Sequence, residues 1–278
     1  MPHVMMFRRV CFVLLSLIVG TSHVSAAEPA TKRLLLLGQK PDGHPPGTHE
    51  YTPGMQIVAA LLAKTPGIAT RIESADEPWV DGPKLLRDSD GAVVFLSQGA
   101  AWLSNDPRRL DAFAELASRG GGLVVIHWGM GTKGTEPIEP WLKLFGGCHG
   151  GPDRRFKVID AELRPASPPH AITRGISALP VHEEFYYTLK FAKSSTPVEP
   201  VLQVEIEGRV ETVAWAWTRP DGGRSFGFSG LHFHDNWRHE SYRRLIAQGV
   251  LWSMKVDVPE QGVDVAIKPE LLKLTPVK

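Results

Sequence analysis

The chain reads as an α/β fold: a doubly wound, mainly parallel sheet with helices on both faces and an added antiparallel hairpin. Three observations predict it. Short segments that are apolar at every position recur along the first half, as strands buried on both faces must. Stretches with helical apolar spacing alternate with them across short loops. Later, a Pro220-Asp221-Gly222-Gly223 turn separates two β-prone segments.

The elements follow in order. Leu34 to Leu37 is the first buried strand, ended by Gly38, and its loop Gln39–Tyr51 carries prolines, glycines and two histidines. Met55, Ile57, Val58, Leu61 and Leu62 give a helix over residues 52–64, and Ile68 to Ile72 is a second strand. Gly91 to Ser97 is a third. Asn105-Asp106-Pro107 opens a helix that runs to Arg119, with proline near its first position. Gly120-Gly121-Gly122 stops it, and Leu123 to His127 is the fourth strand. Phe156–Leu163 and Val201–Ile206 alternate and read as strands at or beyond the sheet edge. Val210–Trp217 and Ser225–Leu231 form the hairpin. A final amphipathic helix spans residues 239–254, and residues 255–278 form a proline-punctuated surface tail.

Residues 1–26 have the order of a secretory signal peptide: Arg8 and Arg9, an apolar run from Val10 to Val19, then Val24-Ser25-Ala26 before the cut. The run is about half the roughly 20 residues of a membrane span, so an uncleaved anchor is the weaker reading. The expected location is the periplasm or the medium, with no membrane attachment after cleavage. Residues 27–254 form one α/β domain. The near-neutral charge, without basic runs, argues against nucleic acid and anionic membrane as partners. Of the two cysteines, Cys11 leaves with the signal, so no intrachain disulfide is available to Cys148. A homo-oligomer is compatible with the sequence and not specified by it.

Ligands of open parallel sheets bind beyond the carboxyl ends of the strands. Three histidine-bearing segments sit there: Asp42–Tyr51 with His44 and His49, His127-Trp128-Gly129, and Ser229–His234 with His232 and His234. Each has a bland reading. His49 could cap the following helix, and His127 could be a satisfied core histidine. His232 and His234 would point to opposite faces of a strand, and His232 is preferred. His149 lies in the glycine-rich run Gly146–Pro152. Glu183 and Glu184, before Phe185 and Tyr186, are either interior acids or a solvated turn. Trp128 and Trp237 could stack on a sugar, although most of eight tryptophans must be core. His170 reads as structural, and His182 and His239 as surface residues. Cys148, in a glycine loop after a helix, lacks the sharp elbow and paired base of a nucleophile.

The pattern resembles the trehalose-utilisation, or ThuA-like, family. The likeness rests on Gly120–His127, the Gly-Gly run before His149, His170–Gly175, the acid pair before Tyr186, Val213-Ala214-Trp215, Phe228–His232, Trp237 and a closing helix. It covers Leu34 to Met254. Ala171 and Glu183 depart from the usual proline and aspartate. The resemblance implies a class I glutamine-amidotransferase-like, flavodoxin-like fold and a link to carbohydrate catabolism, with 3-keto sugars made by partner dehydrogenases as candidate substrates. Amidotransferases of this fold carry a cysteine at the elbow after the fourth strand; none is present here, which argues against glutamine hydrolysis.

The expectation is therefore an exported enzyme acting on a sugar or oxidised sugar by acid–base chemistry of His49, His127, Glu184 and His232. His44, Trp128, His149, Tyr186 and Trp237 would contact a small-molecule sugar. No cofactor is specified, but a divalent, zinc-like metal on three histidines is chemically reasonable, although the spacings match no metal signature. The alternative is a non-catalytic carbohydrate-binding protein.

Overall fold

The computed structural model describes residues 1–3 and 30–274; the signal segment read at residues 1–26 lies almost wholly outside them. In chain order the elements are β1 (Lys32–Gly38), α1 (Tyr51–Leu62), β2 (Ile68–Ser74), α2 (Gly82–Arg87), β3 (Gly91–Val94), α3 (Gly99–Ser104), α4 (Pro107–Ser118) and β4 (Gly122–Ile126). They continue with a 3-10 turn (His127–Met130), β5 (Gly131–Thr132), α5 (Ile138–Phe145), β6 (Gly147–Gly150), β7 (Arg155–Pro165) and β8 (Leu179–Tyr187). The last are β9 (Lys190–Phe191), β10 (Val198–Ile206), β11 (Arg209–Thr218), β12 (Arg224–Phe228) and α6 (Glu240–Ser253).

Nine strands form one sheet in the order β2-β1-β3-β4-β12-β11-β10-β7-β8. The first five are parallel, and the sheet turns antiparallel from β12 outward. With β12 in fifth place, the parallel half has the flavodoxin-like order 2-1-3-4-5 and its switch point between β1 and β3. The uninterrupted apolar strands explain that burial. Leu34 and Leu36 pack into the core beneath α1 and α6, while Leu35 and Leu37 enter a second core with residues of α2 to α5. Helices therefore cover both faces. Asp106 caps α4 by accepting from the Arg108 N–H at 2.9 Å, with Pro107 in the first turn.

Several expectations are corrected. The second hairpin strand ends at Phe228, so Ser229–His234 leave the sheet and the pleat does not decide which histidine faces inward. Both β7 and β10 lie inside the sheet and the edge strand on that side is β8, where the acid pair sits in extended backbone rather than a turn. Cys148 and His149 are in strand β6, not a loop. His239 is half-buried at the start of α6. The segment after α6 does not simply lie on the surface, because Val258 and Val265 are buried in the core beneath α1 and α6.

Candidate functional site

The chain ends of β1, β3, β4 and β12 bring four loops together at the switch point. Backbone hydrogen bonds join the first loop to the last: His49 N–H donates to the His232 carbonyl at 3.1 Å, and His234 N–H to that of Gly47 at 2.8 Å. Glu183 fastens the last loop from β8. Its carboxylate accepts from the N–H groups of Leu231 (2.7 Å), His232 (3.1 Å) and Glu184 (2.8 Å), and from the Asn236 amide (2.8 Å). Burial pushes the Glu183 carboxyl up to about 7, while these four donors favour its charged form. The 3-10 turn after β4 is seated on α3 through bare backbone, since a Cβ on Gly99 would lie 2.1 Å from the Gly129 carbonyl oxygen.

His49, His127, Glu184 and His232 converge, with one ligand atom of each within 4.8 Å of all the others. His127 Nε2 lies 3.1 Å from His49 Nε2, 3.2 Å from His232 Nδ1 and 3.8 Å from Glu184 Oε1. Glu184 Oε1 is 3.5 Å from His232 Nδ1. The outer ring nitrogens determine two tautomers. His127 Nδ1 donates to the Ser229 carbonyl at 2.7 Å, which leaves Nε2 as a lone pair. His49 Nδ1 lies 3.1 Å from Asp42 Oδ2, which also accepts from the Tyr51 hydroxyl at 2.7 Å. Burial opposes the Asp42 charge, but hydrogen bonds from His49, Tyr51 and His44 outweigh it and hold the carboxyl well below the usual range. An anionic Asp42 makes His49 Nδ1 the donor, so His49 Nε2 is a second lone pair facing the first.

Burial also keeps the imidazoles neutral. It lowers His127 well below its ordinary value, reinforced by His49 and His232, and brings His232 down to about 3. His49 is lowered by burial despite Asp42. Burial raises the half-buried Glu184 to about 7. Strained backbone gathers here too: His49, Gln98, His127 and Leu231 have φ of 52°, 47°, 48° and 74°. Such left-handed residues persist where surrounding structure holds them, commonly at functional sites.

Above the cluster lies a cavity of about 310 Å³, lined by twelve further residues besides Glu184, among them Asp42, His44, Trp128, His149, Tyr186 and His232. Tyr186 is sandwiched between two imidazoles, its ring 3.9 Å from His149 and 4.4 Å from His127, and its hydroxyl is 3.0 Å from His127 Nε2. His44 lies over His49 with ring centroids 3.7 Å apart and planes tilted by 31°, and meets Asp42 at 2.7 Å. Trp237 does not belong to this wall. It is buried in the core on the α1 face, close to Gly54, and cannot offer a ring to a ligand there. His49 does not cap α1, whose cap position is Glu50. Cys148 is buried with its thiol pushed up to about 12 by burial, far from a thiolate. His170 is structural, accepting from the Ile172 N–H at 3.1 Å.

Sequence reasoning did not select Asp42, Tyr51 or Glu183, nor Phe156, Lys133 and Arg154 on the cavity wall. The spacing Asp42-x-His44 and His49-x-Tyr51 is a local signal for the first two. Glu183 shows in sequence only as half of the acid pair before Tyr186, with nothing to mark its part in holding the last loop, and the wall residues come from distant elements and leave no local trace.

The sequence profile of the ThuA family, described as trehalose utilisation, matches residues 41–253. No curated protein matches the chain with significance. Among solved structures, a ThuA-like protein from Bacteroides uniformis is 13% identical, with a TM-score of 0.62 over 84% of this chain and 96% of that one. Another from Parabacteroides merdae is 12% identical, with a TM-score of 0.62 over 88% of this chain and 100% of that one. A cytoplasmic protein from Salmonella typhimurium is 15% identical, with a TM-score of 0.56 over 80% and 99%. At such identities the structural likeness speaks for the fold alone, and the profile match over most of the sequence carries the assignment. The chain belongs to the ThuA, trehalose-utilisation, family.

Proposed function

We propose that this protein is an exported, metal-dependent enzyme acting on a sugar or 3-keto-sugar derivative, with His49, His127 and His232 as ligands and Glu184 as proton carrier. One observation carries the reading: two imidazole lone pairs, fixed by Asp42 and the Ser229 carbonyl, face each other at 3.1 Å. Neutral lone pairs at that distance repel unless a cation or a shared hydrogen-bond donor lies between them, and the one hydroxyl near, that of Tyr186, reaches His127 Nε2 but is not hydrogen-bonded to His49. In a tetrahedral zinc-like site with bonds of about 2.0–2.1 Å, ligand atoms lie about 3.3–3.4 Å apart. The histidine spacings of 3.1 and 3.2 Å are close to that edge. The outer contacts of His49 and His127 are the second-shell partners that fix metal-ligating imidazoles.

Three histidine ligands leave a coordination position open, as in hydrolytic and carbonyl-polarising zinc sites. When bound, a divalent ion would supply Lewis acidity toward a carbonyl or hydroxyl oxygen. Glu184, half-buried on the cavity wall beside His127 and His232, is placed to take and return a proton at its Oε1. The Tyr186 hydroxyl, kept protonated by burial and 3.0 Å from His127 Nε2, is placed to donate to an oxygen of a bound sugar once a metal holds that nitrogen. Trp128 provides aromatic surface for the apolar face of a sugar ring, whereas the two faces of the Tyr186 ring are taken by His127 and His149. Family membership supports the carbohydrate; the keto form and the exported compartment are part of the proposal.

Elemental analysis of protein purified without chelator or affinity metal tests the centre, with about one zinc-like ion per chain expected. NMR of the same protein with a 3-keto-glucoside should show conversion that ends on chelation and returns with metal. Saturable binding without turnover would make the protein a carbohydrate-binding module instead, and a metal-free protein that still turns over would sink the metal assignment.

A further inference from the structure

The outer wall of the cavity differs in chemistry from its floor. Lys133 follows β5, Arg154 precedes β7, and Phe156 lies at the start of β7; all three line the same cavity as His49, Glu184 and His232. Neighbouring cations are already neutralised. Lys190 pairs with Asp153 at 2.7 Å, and Arg155 and Lys157 share Glu207 at 3.5 and 3.3 Å. Among the described residues no carboxylate lies within 4.0 Å of Lys133 or Arg154, and neither reaches Asp42 or Glu184.

Arg154 is also held in place. Its Nη1 donates to the Gly151 carbonyl at 3.0 Å, and the half-buried side chain keeps its remaining donors for something else. A guanidinium so anchored has little order left to lose on binding, and its fork suits carboxylate or phosphate oxygens. Beside it, Phe156 is paired across the strands with Tyr186 and is 58% exposed, an unusual position for a large apolar ring. The acids Asp42 and Glu184 lie with the imidazoles at the inner end of the cavity. The cavity is thus polarised, with free cations and an aromatic ring outside, and acids and imidazoles inside.

We propose that the cavity takes a sugar derivative bearing an anionic group, a carboxylate or a phosphate, which Lys133 and Arg154 hold at the outer wall while Phe156 lies against the ring. The hydroxyl or carbonyl end of the same molecule then points to the histidines. This rests on the reading of the cavity as a sugar site.

Calorimetric titration of the full protein with D-glucuronate, D-glucose 6-phosphate and D-glucose tests it, with metal content measured on each sample. At least one anionic sugar should bind about tenfold or more tightly than glucose, in line with charge-assisted hydrogen bonds. The tighter of the two identifies carboxylate or phosphate. The Lys133→Gln/Arg154→Gln double variant should bring the affinities together, the anionic sugars losing most, while metal content stays unchanged. Equal affinities in the parent, absence of binding by all three, or a preference that persists in the double variant overturns the proposal; the last would place the anion on the histidine centre. Metal-loaded protein without anion preference refutes this inference alone, whereas protein without metal refutes the centre.

Discussion

The two halves of the sheet supply the site in different ways. The parallel half, β2-β1-β3-β4-β12, presents its histidines on loops that leave strand ends in strained conformations: His49 after β1, His127 after β4, His232 after β12. The antiparallel half presents Glu183, Glu184 and Tyr186 from the body of one edge strand, β8. Alternation along β8 sends Glu184 and Tyr186 to the cavity and Glu183 to the opposite face, where it grips the loop that carries His232. One half therefore supplies the candidate ligands, and the other supplies the candidate proton carrier and the clamp. If that division is right, substitutions in the two halves must fail differently.

The largest effect is expected in the antiparallel half. Glu184→Gln keeps shape and removes the exchangeable charge, so turnover of a keto-sugar substrate should drop by about 10²–10⁴-fold in kcat, the usual range for a lost acid–base group. Metal content should remain near one per chain. Loss of the ion along with the activity would make Glu184 a ligand and erase the distinction.

Asp42→Asn probes the parallel half. It removes the charge that fixes the His49 tautomer while keeping the shape of the side chain, and second-shell losses of this kind cost about 10–100-fold in metal affinity. Competition with a chromogenic chelator measures it. An unchanged affinity would mean that Tyr51, 2.9 Å from His49 Nδ1, orients the ring by itself.

Glu183→Ala tests the clamp. Four N–H donors would lose their acceptor in a buried place, at a cost of about 3 kcal/mol. Urea unfolding followed by tryptophan fluorescence should show a lower midpoint with an unchanged slope. Glu183→Gln, which retains an acceptor oxygen, should recover part of the loss. Equal stability of all three proteins would show that the β12 loop holds its shape unaided.

The same contrast explains what could be read from the chain. Leu34–Leu37, Gly91–Val94 and Gly122–Ile126 announce themselves because a strand buried on both faces is apolar at every position, a local property. Histidines at their ends follow from the general rule for such sheets, which points to His49, His127 and His232, while the acid pair before Tyr186 points to Glu184. The β8 segment was harder, because His182-Glu183-Glu184 is polar in a row. Glu183 is tolerated in the interior only because Leu231, His232 and Asn236, some fifty residues on, turn N–H groups toward it. No window of sequence contains that pairing. The inward turn of His232 fails to show for a related reason: Leu231 adopts a left-handed conformation and breaks the alternation that strand logic assumes.

The smallest expected effect concerns His149, on β6, which belongs to neither half but to the small sheet β5-β6-β9. Burial, with Arg154 and Lys190 adding to it, brings its imidazole from 6.5 down to about 3. The sign follows directly. Below pH 6.5 the unfolded chain protonates this residue while the folded chain does not until about 3, so the unfolded state binds more protons across that window. Stability is complete above 6.5 and declines as pH falls toward 3, with a limiting slope of about 1.4 kcal/mol per pH unit for one group. His149→Phe keeps a ring against Tyr186, where the parent rings stack at 3.9 Å, but has no proton to take up. Urea titrations at several pH values between about 4 and 7, all with chelator present, should give a shallower acid limb for the variant. The comparison is of slopes, so a uniform loss from the larger ring does not obscure it. Parallel limbs would mean that His149 takes up its proton in the folded protein, and that the wall beside Arg154 is wetter than its burial indicates.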